Sequence, residues 1–134
     1  MTVDEARANA FEERVLSALN AGALCLMMSI GHRTGLFDAM SARPASTSAE
    51  IASAASLNER YVREWLGAMV AARVVELDRD GRRYALPAEH AAFLTRAAGA
   101  QNMALVSQYF AELGADAAAD RAVPGQPIRG DGSQ

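Results

Sequence analysis

The sequence is poor in the residue types from which many chemical sites are built. Of its 134 residues, one is cysteine, two are histidine and one is tryptophan. A lone cysteine excludes an intramolecular disulfide, and the apolar neighbours of Cys25 predict a buried, inert thiol. A metal site needs three or four convergent ligands, so structural or surface roles are predicted for His32 and His90. No catalytic, cofactor-binding or metal-binding residue follows from the sequence.

An excess of positive charge is also lacking. The chain has 13 Lys and Arg against 16 Asp and Glu, which gives a formal net charge of −3. Indiscriminate nucleic-acid binders usually carry a basic surplus, so this class of protein is disfavoured, although net charge says nothing about a local basic face.

Long apolar runs and a signal peptide are missing as well. The most apolar run, residues 21–30, is half of the roughly 20 residues that a membrane span needs. The N-terminal segment is acidic and polar, unlike a signal peptide. We therefore expect a cytoplasmic protein with no membrane partner.

What is present suits one globular domain, since hydrophobic residues make up 51% and charged residues 22% of the chain. A first helix is predicted from Ala8 to Ile30, ending at Gly31. Its second half is apolar nearly all round, and such a helix is normally buried on every side. In so small a chain this predicts a covering surface from a second subunit or another domain; the alternative is a helix of the same chain. The predicted homodimer interface comprises Leu24, Leu26, Met27, Met28 and Ile30.

Two further helices follow a short segment, GLFDAM, that supplies core candidates. Thr47 and Glu50 have the spacing of a capping box, and Asn58 is a predicted N-cap of the next helix. That helix carries an apolar stripe with the spacing of a core-facing helix. The predicted core residues are Leu36, Phe37, Met40, Val62, Trp65, Leu66, Met69 and Val70.

After this helix, the spacing of the apolar residues changes from that of a helix to the alternation typical of β-strands. VVEL and RRYAL flank the turn DRDG and predict a hairpin, in which Val75 and Leu77 share a face with Tyr84 and Leu86. Pro87 begins another helix, and a last one is predicted over residues 102–113. We assign residues 1–113 to a winged-helix and dimerisation domain and 114–134 to a flexible polar tail. The fold class is mainly α, a winged helix-turn-helix with a long N-terminal helix, a small β-hairpin wing and C-terminal helices.

Residues 35–40 and 47–95 closely resemble the N-terminal winged-helix domain of a family of bacterial class I S-adenosylmethionine-dependent methyltransferases. LNERYVREWLGAMV, residues 57–70, is the strongest part. The resemblance implies a non-catalytic dimerisation and substrate-lid module, which in that family precedes a Rossmann-like catalytic domain that binds the cofactor.

The chain departs from the family in one respect. It has no buried strand followed by a glycine-rich turn and a helix, which cofactor binding requires. The nearest string, GDGS at residues 130–133, follows no apolar strand. S-adenosylmethionine would need the missing domain, so we expect no cofactor in this chain, which is either truncated or stand-alone. A methyltransferase catalytic domain is a candidate partner.

Two other functions compete with this interpretation. A winged helix can read DNA, as a transcriptional regulator does, and the candidate contacts are Arg60, Arg63, Arg82 and Arg83. Acidic neighbours oppose this, and Arg60 and Glu64 are spaced to pair across one helix turn. The chain could also bind a small apolar ligand, because methionine adapts to irregular apolar shapes. The candidate pocket residues are Met27, Phe37, Trp65 and Met69.

Overall fold

The computed structural model describes residues 2–122, with side chains as far as residue 117. Six α-helices, one 3-10 helix and one hairpin make up this part of the chain. In order they are α1 (Glu5–Arg33), α2 (Leu36–Ser41), α3 (Ser48–Ala55), α4 (Glu59–Ala71), β1 (Glu76–Asp78), β2 (Arg83–Ala85), α5 (Ala88–Leu94), the 3-10 helix (Arg96–Gln101) and α6 (Ala104–Ala122). The predicted fold class, a mainly α winged helix-turn-helix, is confirmed.

The two helices of the motif begin where their capping residues predict. The Thr47 hydroxyl accepts a hydrogen bond from the backbone N–H of Glu50 at 3.2 Å. The Asn58 side-chain oxygen accepts one from the backbone N–H of Arg60 at 3.0 Å. Each bond satisfies an amide that has no partner within its own helix, which fixes the start of that helix.

The core lies between α2, α3, α4 and the wing. Each predicted core position of α2 is buried, and so are the predicted positions of α4 except Val70, which is half-buried. The buried apolar residues are Leu36, Phe37, Met40, Ile51, Ala52, Val62, Trp65, Leu66, Met69, Val75, Leu86, Leu94 and Ala104.

The wing is an antiparallel hairpin joined to the segment before α3. Leu77 pairs with Tyr84 in the register, so the two share a face as predicted. Ser46 forms an isolated bridge with Tyr84, with N–O distances of 3.0 and 2.8 Å between the two backbones. This bridge fixes the wing against the helix-turn-helix.

The sequence predicted that helix α1 ends at Gly31, but the helix runs on to Arg33. A Cβ atom at Gly31 would lie 2.6 Å from ring carbons of both Phe37 and Trp65. The glycine therefore lets α1 approach the core closely, while the chain turns at Gly35, where φ is 74°.

Helix α6 begins and ends later than predicted. The Asn102 side chain accepts a hydrogen bond from the backbone N–H of Ala104 at 3.0 Å, and the helix continues to Ala122. Residues 114–122, predicted to be part of the flexible tail, are helical, because the segment is rich in alanine, the strongest helix former. Residues 123–134, with the GDGS string, lie outside the described residues.

Candidate interaction surface

Helix α6 packs along α1, but it turns its large apolar residues away from the protein. The α6 residues that become buried are small, Ala104 and Ser107, and Ala111 is half-buried. The large apolar residues Leu105, Val106, Tyr109, Phe110 and Leu113 are all exposed. This is the reverse of the usual arrangement in a helix of a soluble monomer, where the large apolar residues face the core.

Helix α1 shows the same property over most of its length. Its large apolar residues Phe11, Val15, Leu16, Leu19, Leu26 and Ile30 are exposed. We give the name apolar face to these residues together with the exposed apolar residues of α6, the helix that packs along α1. Many large apolar residues exposed on neighbouring helices are typical of interaction sites.

The five residues predicted for a dimer interface fall into two groups. Leu26 and Ile30 belong to the apolar face. Leu24, Met27 and Met28 are half-buried and pack against the core of their own chain. The contribution of α6 was not predicted, because apolar residues at helical spacing indicate a core-facing helix as readily as an interface.

The C-terminal part of α1 is joined to the core by an aromatic pair. The indole N–H of Trp65 donates a hydrogen bond to the backbone carbonyl of Met27 at 2.9 Å. Phe37 meets the Trp65 ring edge to face, with centroids 5.2 Å apart. These contacts, together with the close approach at Gly31, hold α1 in place while its N-terminal part extends away from the core.

An ionic cluster joins the end of α1 to α2 and the 3-10 helix. Arg96 donates from its backbone N–H to Asp38 at 2.8 Å, and its guanidinium group also contacts the Asp38 carboxylate. The same guanidinium donates to the backbone carbonyl of His32 at 2.8 Å. The His32 ring is buried, and its Nδ1 has no partner among the described residues. Burial, followed by the charge of Arg96, lowers the pKa of His32 below its usual value, against the opposing effect of Asp38.

A groove of about 480 Å³ runs between α1 and α4 beside the apolar face. Of the predicted pocket residues, Met27 and Met69 line it, with Met69 fully buried, and Phe37 and Trp65 lie deeper in the same core. The remaining lining residues are Asn20, Ala23, Leu24, Ala68, Ala71 and Ala72. A small apolar ligand in this groove stays a prediction.

The outer side of α4, which reads DNA in many winged helices, carries arginines paired with glutamates. Arg60 lies 3.6 Å from Glu64, as its spacing predicted, and Arg63 lies 3.7 Å from Glu59. Both pairs are exposed and of the i, i+4 type, so each reduces the positive potential available to a phosphate.

On the wing, one of the two candidate arginines is also paired with an acidic residue. Arg83 lies 3.8 Å from Glu50. Arg82 is exposed at the turn, with a φ of 48°. Within the part of the chain that is described, Arg82 is the one candidate DNA contact without an acidic partner.

Two further features concern metal-binding groups, of which the described residues hold none, and membrane-spanning helices, for which α1 is long and apolar enough. Within residues 2–122, no group of three or more His, Cys, Asp or Glu side chains is placed to hold a metal ion. By length and composition alone, α1 is apolar enough to cross a membrane, and most of its apolar stretch is exposed. This is weak evidence, because the exposed side of α1 that raises its hydropathy also suits a protein interface.

Comparison with known proteins agrees with this fold. Residues 22–96, more than half of the chain, match the Rv2258c-like winged HTH domain. The chain belongs to this family. A search of curated proteins gave no match.

Two solved structures share the fold of this winged HTH domain. Human N-acetylserotonin methyltransferase in complex with SAM is 17% identical, with a TM-score of 0.63 over 86% of this chain and 36% of its own. PigF with SAH is 20% identical, with a TM-score of 0.63 over 87% of this chain and 37% of its own. The chain thus spans little more than a third of either protein, and the predicted likeness to methyltransferases is confirmed as one of fold.

Proposed function

We propose that this winged HTH domain is a non-catalytic module that forms a homodimer through the apolar face. The observation that carries the proposal is the packing of α6. It buries small residues and exposes large ones, such as Tyr109 and Phe110. An identical face on a second copy would cover them, and self-complementary faces of this kind give two-fold dimers.

The dimensions of the apolar face suit such an interface. Helix α1 has 29 residues and is about 43 Å long. A stable interface buries roughly 1,200–2,000 Å² in total. Two helices from each copy, each contributing exposed leucine, phenylalanine or tyrosine side chains, can supply an area of that order.

A finer part of the proposal is a lid role beside a methyltransferase catalytic domain. Of the two similar solved structures, one is a methyltransferase with SAM and the other a complex with SAH, and this chain matches about a third of each. The groove between α1 and α4 offers an apolar wall, with half-buried Leu24 and Met27, toward an acceptor substrate. Methyl transfer itself, and the binding of S-adenosylmethionine, belong in this proposal to a domain outside this chain.

A DNA-binding regulator is the second candidate function, favoured by the exposed α4 of the helix-turn-helix. The ion pairs of Arg60 and Arg63 weigh against it. Such a regulator usually presents arginines that are free to reach phosphates or guanine edges.

A glutamate placed on the apolar face tests the proposal. Leu19 is 64% exposed, so Leu19→Glu disturbs the fold of one chain little. In a dimer the same change buries a charge, and we expect light scattering to give the mass of one 14.2 kDa chain where the parent gives twice that mass.

The matched control is Tyr61→Glu, because Tyr61 is 70% exposed and lies on α4, a helix that contributes no residue to the apolar face. This variant should keep the parent's mass, and circular dichroism should show parental helix content in both variants. A Leu19→Glu chain that dimerises as tightly as its parent would contradict the proposal.

A further inference from the structure

On the exposed side of α1, the residue types are arranged almost symmetrically about one point of the helix. Its centre is the small pair Gly22 and Ala23. On either side, at equal distances along the chain, come a leucine and then a β-branched residue. At about 100° per residue, all of these lie within about 100° of the helix circumference. We call this set the α1 stripe: Val15, Leu19, Gly22, Ala23, Leu26 and Ile30.

We propose that two copies of α1 pack antiparallel, with the two-fold axis passing between Gly22 and Ala23. The inference rests on the proposed homodimer and specifies its geometry. In this register Leu19 of one copy meets Leu26 of the other, and the β-branched residues meet further out. Leucine side chains then fill the space on both sides of a small central pair.

The glycine at the centre supports this arrangement. A Cβ atom at Gly22 would meet nothing within 4 Å in its own chain. Glycine within a helix is less favourable than alanine, so the contacts of the single chain give no reason for it. At a helix crossing the missing side chain allows two backbones to approach closely, and the proposed axis lies at this crossing.

Charge at the two ends of the stripe selects the antiparallel orientation. Glu12 and Arg33 also lie at equal distances from the proposed axis, and both are exposed. Neither has an ion-pair partner in the described part of its own chain. In the antiparallel pair the Glu12 side chain of each copy faces the Arg33 side chain of the other copy, so two such contacts form. In a parallel pair each would face its own like charge, which is unfavourable.

Disulfide trapping tests the register directly. In a Cys25→Ala background, Leu19→Cys and Leu26→Cys are prepared as separate chains and oxidised alone or as an equal mixture. In the antiparallel pair, identical positions are offset by about 10 Å along the helix axis, beyond the reach of a disulfide. We therefore expect about tenfold more cross-linked dimer in the mixture than in either chain alone.

A charge swap gives a second measurement without cysteines. Glu12→Arg should weaken the dimer about tenfold, and the double variant Glu12→Arg with Arg33→Glu should restore it, because both cross-copy pairs re-form with their signs exchanged. A parallel pair would show no such restoration.

The outcomes separate this inference from the proposal on which it rests. If the parent chain is dimeric but each cysteine variant cross-links only to an identical chain, the antiparallel register is wrong and the homodimer still stands. A parent that is monomeric at all concentrations, or that binds lipid vesicles through the α1 stripe and does not dimerise, overturns both.

Discussion

Gly31 is the point at which α1 comes closest to the aromatic pair of the core. A Cβ atom there would overlap ring carbons of Phe37 and Trp65. By contrast, a Cβ atom at Gly67, in the middle of α4, would meet nothing within 4 Å. An added methyl group would therefore overlap other side chains at Gly31 and would meet open space at Gly67.

Replacing each glycine with alanine should shift stability in opposite directions. Gly31→Ala overpacks the core, and we expect a loss of about 1–3 kcal/mol in the free energy of unfolding. Gly67→Ala removes backbone freedom from the unfolded chain, and we expect a gain of up to about 1 kcal/mol. Urea denaturation at one fixed chain concentration measures both. Equal shifts of the same sign would show that the close approach at Gly31 is absent.

The structural role of a single residue was predictable where it depends on contacts with residues close by in the sequence. Thr47 and Asn58 cap their helices through bonds to amides two or three residues away, and their spacing alone indicated this. The role of Gly31 was not predictable, because it depends on rings that approach from α2 and α4. Without those rings, a glycine after an apolar run is typical of a helix end.

Among the helices, the end of α1 is joined to α2 and the 3-10 helix through buried His32 and the Arg96–Asp38 pair. The pKa of His32 is lowered in the folded protein, chiefly by burial. The unfolded chain therefore takes up a proton near pH 6.5 before the folded chain does. Stability should be unaffected by this group above that pH and should fall as the pH drops through it, until the folded-state pKa is reached.

Removing the imidazole should remove this part of the pH dependence. The slope from one such group cannot exceed about 1.4 kcal/mol per pH unit. We expect the free energy of unfolding of His32→Gln to change less between pH 7 and pH 5 than that of its parent. Denaturation at several pH values in that range measures the difference. Identical slopes would mean that His32 is not held neutral in the folded protein.

At the scale of helices, periodicity predicted which elements form but not which way α6 faces. Tyr109 and Phe110 have the spacing of a core-facing stripe, yet they are exposed. The direction is set by the small residues Ala104 and Ser107, which let α6 lie close to α1. Small residues carry a weak apolar signal, so the side that becomes buried was not the side that the pattern favoured.

For the whole molecule, the apolar run in α1 indicated a covering surface, and α6 supplies only part of it. One side of α1 faces α6 and the core, while the side with Leu19 and Leu26 is open. The family of the chain explains the winged helix but says nothing of what covers this open side. In the proposed homodimer, the same face of a second copy covers it.

The most direct test of the homodimer is the solution mass of the unmodified chain over a wide range of dilution. Sedimentation equilibrium should give twice the 14.2 kDa chain at high concentration, falling toward a single chain on dilution as the apolar face is uncovered. A mass of one chain at every concentration would contradict the homodimer. The large apolar residues of α1 and α6 would then remain exposed to water with no second copy to cover them.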